Sequence, residues 1–108
     1  MSDIQVAASA AYKRQFRKLK SPSLKAAAQR CAEDIYELVA LRRSGAGHAT
    51  TAETIIRRRR IKAIQRFRHL TPKRFEATFA PDGRIVWAVS GNRLEFIYLG
   101  THAVLDQD

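Results

Sequence analysis

The chain has 108 residues, with 20 Lys and Arg against 10 Asp and Glu, for a formal net charge of +10. That length sets a single domain over residues 1–108, and a hydrophobic content of 45% excludes a natively disordered chain. Positive charge on this scale repels itself in a compact state, so a polyanionic partner is expected, nucleic acid or the ribosome before an acidic protein.

In chain order, Ile4, Gln5 and Val6 alternate as a short strand does. Ser9 is placed to cap a helix whose inner face carries Tyr12, Phe16 and Leu19, with Lys13, Arg14, Arg17, Lys18 and Lys20 on the other side. Ser21-Pro22 either breaks this helix or starts the next with proline at its first position. From Ser23 to Arg43 the apolar residues Leu24, Ala28, Cys31, Ile35, Leu38 and Val39 predict a long amphipathic helix. Arg42 and Arg43 suit its negative end, and Ser44-Gly45-Ala46-Gly47 stops it.

Thr50 and Glu53 have the spacing of a capping box, which predicts a third helix from Thr51 to His69 with Ile56, Ala63, Phe67 and Leu70 inward. Between Arg57 and Arg74 there are nine Lys and Arg and no acid, so Arg57, Arg58, Arg59, Arg60 and Lys62 are expected to form a basic surface. The period then changes to two. Arg74 to Phe79, Arg84 to Val89 and Arg93 to Leu99 read as three strands joined at Pro81-Asp82-Gly83 and Gly91-Asn92, an antiparallel meander. Phe75, Ala77 and Phe79 share one face, as do Leu94, Phe96 and Tyr98; Trp87 and Tyr98 are expected to pack on the sheet.

Cys31 is the single cysteine, which rules out an intrachain disulfide and suggests a buried, inert thiol. No apolar run approaches the roughly 20 residues that cross a bilayer, and Met1 to Ala8 does not read as a signal peptide, so the cytoplasm is the expected location and no membrane partner is expected. His48 lies in a Gly-rich loop and His69 at a helix end. No pair of His, Cys or carboxylate residues has ligand spacing, so neither a metal nor another cofactor is expected.

The stretch 74–105, RFEATFAPDGRIVWAVSGNRLEFIYLGTHAVL, resembles the sheet of RelE/ParE-superfamily toxins from bacterial type II toxin–antitoxin systems. The matching features are a turn, an Arg opening a strand, a second turn with Asn-Arg, and a last strand running into Gly-Thr-His. The early strand and the Tyr12, Phe16, Leu19 pattern fit the family's first strand and helix, whereas residues 44–70 depart from it as a basic insertion or third helix. The resemblance implies an α/β (α+β) fold: an N-terminal strand and two to three helices packed on an antiparallel sheet that ends in a three-stranded meander.

Many members of that family are ribosome-dependent endonucleases that cut mRNA and inhibit translation. Attack by the RNA 2′-OH requires a base, cations around the charged phosphorane and an acid for the leaving 5′ oxygen. By the resemblance, Arg84 matches a phosphate-binding arginine, and His102 matches a histidine acting as base or acid. Lys73, Arg74 and Arg93 stand at strand starts, where they would hold phosphates. The implied function is a metal-independent endoribonuclease toxin whose partners are the ribosome, mRNA and a cognate antitoxin. The alternatives are a ParE-like, non-enzymatic inhibitor of DNA gyrase and an inactive, basic nucleic-acid-binding module. The C-terminal aromatic residue common in endonuclease members is missing from Ala103-Val104-Leu105-Asp106, and no dense Lys cluster lies beside the presumed base.

Overall fold

The computed structural model describes residues 3–101. Strand β1 is Gln5–Ala8, followed by helices α1 (Ala10–Lys18), α2 (Pro22–Arg43) and α3 (Thr50–Arg59). Strand β2 is Lys62–Ala63, and a 3-10 turn at Gln65–Phe67 leads towards β3 (Phe75–Ala80), β4 (Gly83–Ser90) and β5 (Arg93–Thr101). The strands form one five-stranded sheet in the order β1-β5-β4-β3-β2.

The meander is antiparallel, but β1 runs parallel to β5, from Gln5 opposite Arg93 to Ala8 opposite Phe96. The sheet is therefore mixed, where the sequence predicts an antiparallel one. The chain leaves β1 through α1 to α3 and then β2 to β4 before it returns as β5, a connection long enough for a parallel pair.

Helix boundaries follow local chemistry. Ser9 accepts a hydrogen bond from the Tyr12 amide at 3.0 Å, capping α1. Ser21 caps α2 through the Ser23 and Leu24 amides, with Pro22 at the first position, so the second of the two readings of Ser21-Pro22 holds. Ala28, Cys31, Ile35, Leu38 and Val39 of α2 are buried as their spacing predicts, but Leu24 is 37% exposed. The third helix departs further from expectation. Ala49 is its N-cap and makes no side-chain cap bond, so the Thr50–Glu53 capping box does not form.

This helix also stops at Arg59, ten residues short of His69. Arg60 adopts a left-handed φ of 51°, and the Ile61 amide reaches back to the Ile56 carbonyl at 3.0 Å, the wide closure typical of a helix C-terminus. Lys62 and Ala63 then pair with Glu76 and Phe75, so a sheet edge wins over a helical period that few apolar residues support. Ala52 and Ile55 supply the buried face of α3; Ile56, Ala63 and Phe67 are half-buried and Leu70 is exposed.

All three helices pack on one face of the sheet. The core there joins Tyr12, Ile35, Leu38 and Ile55 to Ala77, Phe79, Ile85, Trp87, Leu94 and Leu99. Trp87 stacks on Phe75 with ring centroids 5.0 Å apart, and Tyr12 meets Phe96 at 5.4 Å. Each fully buried Ile or Leu contributes roughly 1.5–3 kcal/mol. Burial pushes the Cys31 thiol up to about 12; nearby Arg59 opposes that shift and Asp34 adds to it. The thiol therefore stays protonated and unreactive.

Two bulges tune the meander. The pairing of β4 with β5 slips between Val86 and Trp87, which face Tyr98 and Phe96, so Ile97 is an extra residue. The slip overturns the expected sharing of a face by Leu94, Phe96 and Tyr98: Leu99 takes the next core position, and Tyr98 turns away from the helices. The second slip makes Phe79 extra, and its ring lies over Gly83. A Cβ on Gly83 would sit 2.5 Å from Phe79 Cζ. Gly83→Ala is therefore expected to cost about 1–3 kcal/mol in urea unfolding, by overpacking. Part of that loss should be recovered when Phe79→Leu is made in the same chain; an additive pair would show that the contact is not the cause.

Candidate nucleic-acid interface

Residues directly opposite in paired strands share a face. The face turned from the helices therefore carries two cross-strand rows: Glu76, Val86 and Tyr98, and then Thr78, Arg84 and Gly100. Arg84 lies diagonally between Glu76 and Tyr98. Lys62 pairs with Glu76 from the other side and so extends the first row.

Three charged side chains converge here. Glu76 Oε2 lies 3.8 Å from Arg84 Nε and 3.8 Å from Lys62 Nζ. The Arg84 and Glu76 side chains are only 14% and 10% exposed, whereas Lys62 is 66% exposed. Arg84 Nη1 also donates to the carbonyls of Gly83 at 3.1 Å, Pro81 at 3.3 Å and Ala80 at 3.4 Å. The turn that precedes β4 thus orients the guanidinium that β4 presents. The result is a fixed cation beside a buried carboxylate, with a freer lysine at the rim.

Tyr98 adds an aromatic ring to this face. A Cβ on Gly100 would lie 2.7 Å from Tyr98 Cε2, so the ring occupies the space that glycine leaves. Among the described residues, no group of three or more His, Cys, Asp or Glu is placed to hold a metal ion.

The other predicted site residues are dispersed. Lys73 is exposed, and Arg74 Nη1 bonds the Pro72 carbonyl at 2.7 Å. Alternation along the strand places Arg74 on the face of Glu76. Arg93 opens β5, seven residues before Gly100, the partner of Arg84. At roughly 3.3 Å per residue it stands about 20 Å away along the strand. His48 and His69 are exposed and outside the strands. His102, and the Gly-Thr-His feature it completes, falls outside the described residues.

The arginine run divides. Arg57, Arg58 and Arg60 are exposed, but the Arg59 side chain is 15% exposed and its Nε bonds Asp34 Oδ2 at 2.8 Å. Arg58 reaches the same carboxylate at 3.4 Å. The compensating acid that the run lacks locally is therefore supplied by α2. Glu76 is the residue that sequence reasoning missed. Its signal was the turn at residues 81–83, which sets Thr78 opposite Arg84 and brings Glu76 into diagonal reach of it.

No protein-family model matches the chain, and no curated sequence matches it significantly. Solved structures do. A chain of the archaeal RelE–RelB complex from Pyrococcus horikoshii OT3 superposes with a TM-score of 0.61 at 11% identity, over 91% of this chain and 93% of that one. The chain has the fold of the RelE-type toxins. A copper-bound mutant toxin from Helicobacter pylori gives 0.57 at 17% identity over 94% and 98% of the two chains. A chain of the E. coli DinJ–YafQ complex gives 0.54 at 14% over 95% and 98%.

Within this RelE-type fold the region 44–70 is accounted for by the short α3 and the edge strand β2. Asp34 fastens that region to α2. Asp34→Asn should leave Arg59 half-buried without its counter-ion and lower stability by about 1–3 kcal/mol in chemical denaturation. An unchanged midpoint would mean that the pair holds nothing together.

Proposed function

We propose that the chain is the toxin of a type II toxin–antitoxin module. In this reading it acts in the cytoplasm as a ribosome-dependent mRNA endonuclease and is neutralised by a cognate antitoxin. The observation that carries the reading is the convergence of Lys62, Glu76 and Arg84 on the helix-free face of a RelE-type sheet.

Those residue types meet the needs of RNA transesterification without a metal. The Glu76 carboxylate takes the proton of the 2′-OH as its oxygen attacks the adjacent phosphorus. Arg84, with Lys62 at the rim, neutralises the charge that gathers on the phosphorane oxygens. A 2′,3′-cyclic phosphate forms as the P–O5′ bond breaks, and the leaving oxygen takes a proton from an acid, the role assigned to His102. The backbone carbonyls around Arg84 favour this use. Its guanidinium is held before substrate arrives, so little ordering is left to do at the moment of reaction.

The exposed Arg57, Arg58 and Arg60, together with Lys73 and Arg74, would contact flanking phosphates and ribosomal RNA. Arg93, at the far end of β5, fits that outer role better than one at the scissile phosphate.

The test is induced expression followed by mapping of mRNA 5′ ends on translated messages. Wild type should arrest growth and cut mRNA. Glu76→Gln, Arg84→Ala and His102→Ala should each lower cleavage roughly 10²–10⁴-fold while the purified variants keep their helical circular dichroism. Growth arrest with intact mRNA and disturbed DNA supercoiling would replace this reading with gyrase inhibition. Cleavage that survives Glu76→Gln at full rate would remove the carboxylate from the mechanism while sparing the enzyme class.

A further inference from the structure

A cavity of about 270 Å³ opens between α1 and α2. Tyr12 and Phe16, four residues apart on α1, form its apolar wall together with Ala8. Lys13 and Arg17, also four apart, and Gln29 of α2 supply its polar groups. A larger apolar groove, of about 520 Å³ and bordered by Leu19, Leu24, Phe79 and Tyr98, opens near the C-terminal end of α1.

Two features of the smaller cavity call for a ligand. The first is Tyr12. This residue is 9% exposed, and its ring lies against Phe96. Among the described residues its hydroxyl has no hydrogen-bond partner. Dehydrating a hydroxyl without a partner is costly, so such a group needs something to complete it. Burial, and secondarily Cys31, push the Tyr12 hydroxyl up to about 12, so it stays protonated and is a donor at neutral pH.

The second is charge. Like charges at this helical spacing repel. Neither Lys13 nor Arg17 has an ion-pair partner among the described residues, and no acid lines the cavity. Between Asp3 and Glu33 the sequence has seven Lys and Arg and no acid to relieve them. A dianion between the two side chains would turn that repulsion into attraction.

Shape narrows the choice. The guanidinium fork of arginine matches phosphate oxygens, and the Tyr12 hydroxyl and the Gln29 amide are neutral donors beside it. Inorganic phosphate would leave Phe16 facing water, whereas a planar ring would cover it. The volume falls just below the roughly 300–1,000 Å³ of sites for drug-sized ligands, so an extended peptide or a nucleic-acid duplex does not enter.

We propose that this cavity binds a small phosphate monoester carrying a planar ring, of the mononucleotide class. Arg17 and Lys13 hold the phosphoryl oxygens, Tyr12 donates to one of them, and the ring lies on Phe16. The site is on the helix side of the sheet, away from Lys62, Glu76 and Arg84, and does not depend on the toxin reading.

The experiment titrates the full chain with adenosine 5′-monophosphate, followed by calorimetry, thermal unfolding and amide chemical-shift mapping. The dissociation constant should fall below about 1 mM, the melting temperature should rise with ligand, and shifts should gather at Tyr12, Lys13, Phe16, Arg17 and Gln29. Adenosine should not bind, and inorganic phosphate should bind at least about tenfold more weakly. Arg17→Gln, at an exposed position, should weaken binding more than about tenfold, and Tyr12→Phe roughly three- to tenfold. Arg14→Gln removes the same charge from the same helix outside the cavity and should bind like wild type.

The proposal is overturned if the nucleotide does not bind, if Arg14→Gln weakens binding as much as Arg17→Gln, or if the shifts gather at the larger groove or at Lys62 and Arg84. A 5′-phosphorylated tetranucleotide that binds more than about tenfold tighter than the mononucleotide would assign the cavity to an RNA end and overturn the small-molecule reading. None of these readouts involves mRNA cleavage, so the toxin reading stands or falls separately.

Discussion

Three helices lie on one side of a five-stranded sheet, and that one-sided coverage shapes the rest of the molecule. Apolar residues of the meander that face the helices can be dehydrated completely, as Ile85, Trp87 and Leu94 are. Residues on the other face have no helix to complete a core and must be compatible with water or with one another. Glu76 meets this demand by pairing with Lys62 and Arg84, which is how a carboxylate comes to be buried there. The same asymmetry that gives the fold its core leaves a charged surface on the sheet, held by strands rather than by loops.

The parts legible in the sequence were those governed by one local period. The apolar spacing in α2, the turns at residues 81–83 and 91–92, and the three strands between them needed no tertiary information. The third helix failed because its pattern was carried by charge more than by apolar spacing. Four consecutive arginines fit a helix only while each finds solvent or an acid, and the two-residue pairing of β2 with β3 takes over once Arg60 turns left-handed. The parallel contact of β1 with β5 joins segments about 90 residues apart in the chain, and nothing local encodes it.

Bulges explain why the candidate site was only half legible. Arg84 could be singled out because it opens a strand after a strong turn. Strict alternation puts Tyr98 on the face of Leu94 and Phe96, and one extra residue at Ile97 reverses the faces. Glu76 alternates in the sequence with the apolar Phe75 and Ala77. Only the register across the hairpin shows that its neighbours are cations. His102 lies outside the described residues, and its place in the proposed chemistry comes from the Gly-Thr-His resemblance.

Strand β5 ties these features together. Its first half accepts β1 and completes the core through Leu94 and Phe96. After the bulge no strand among the described residues covers its outer edge, and Tyr98 and Gly100 lie on the face shared with Arg84. Gly100 is central to this arrangement, because a side chain there would displace the Tyr98 ring from both the groove wall and the charged face. In a molecule this small, with its core committed to the opposite side of the sheet, one aromatic ring thus borders both the groove and the charged face.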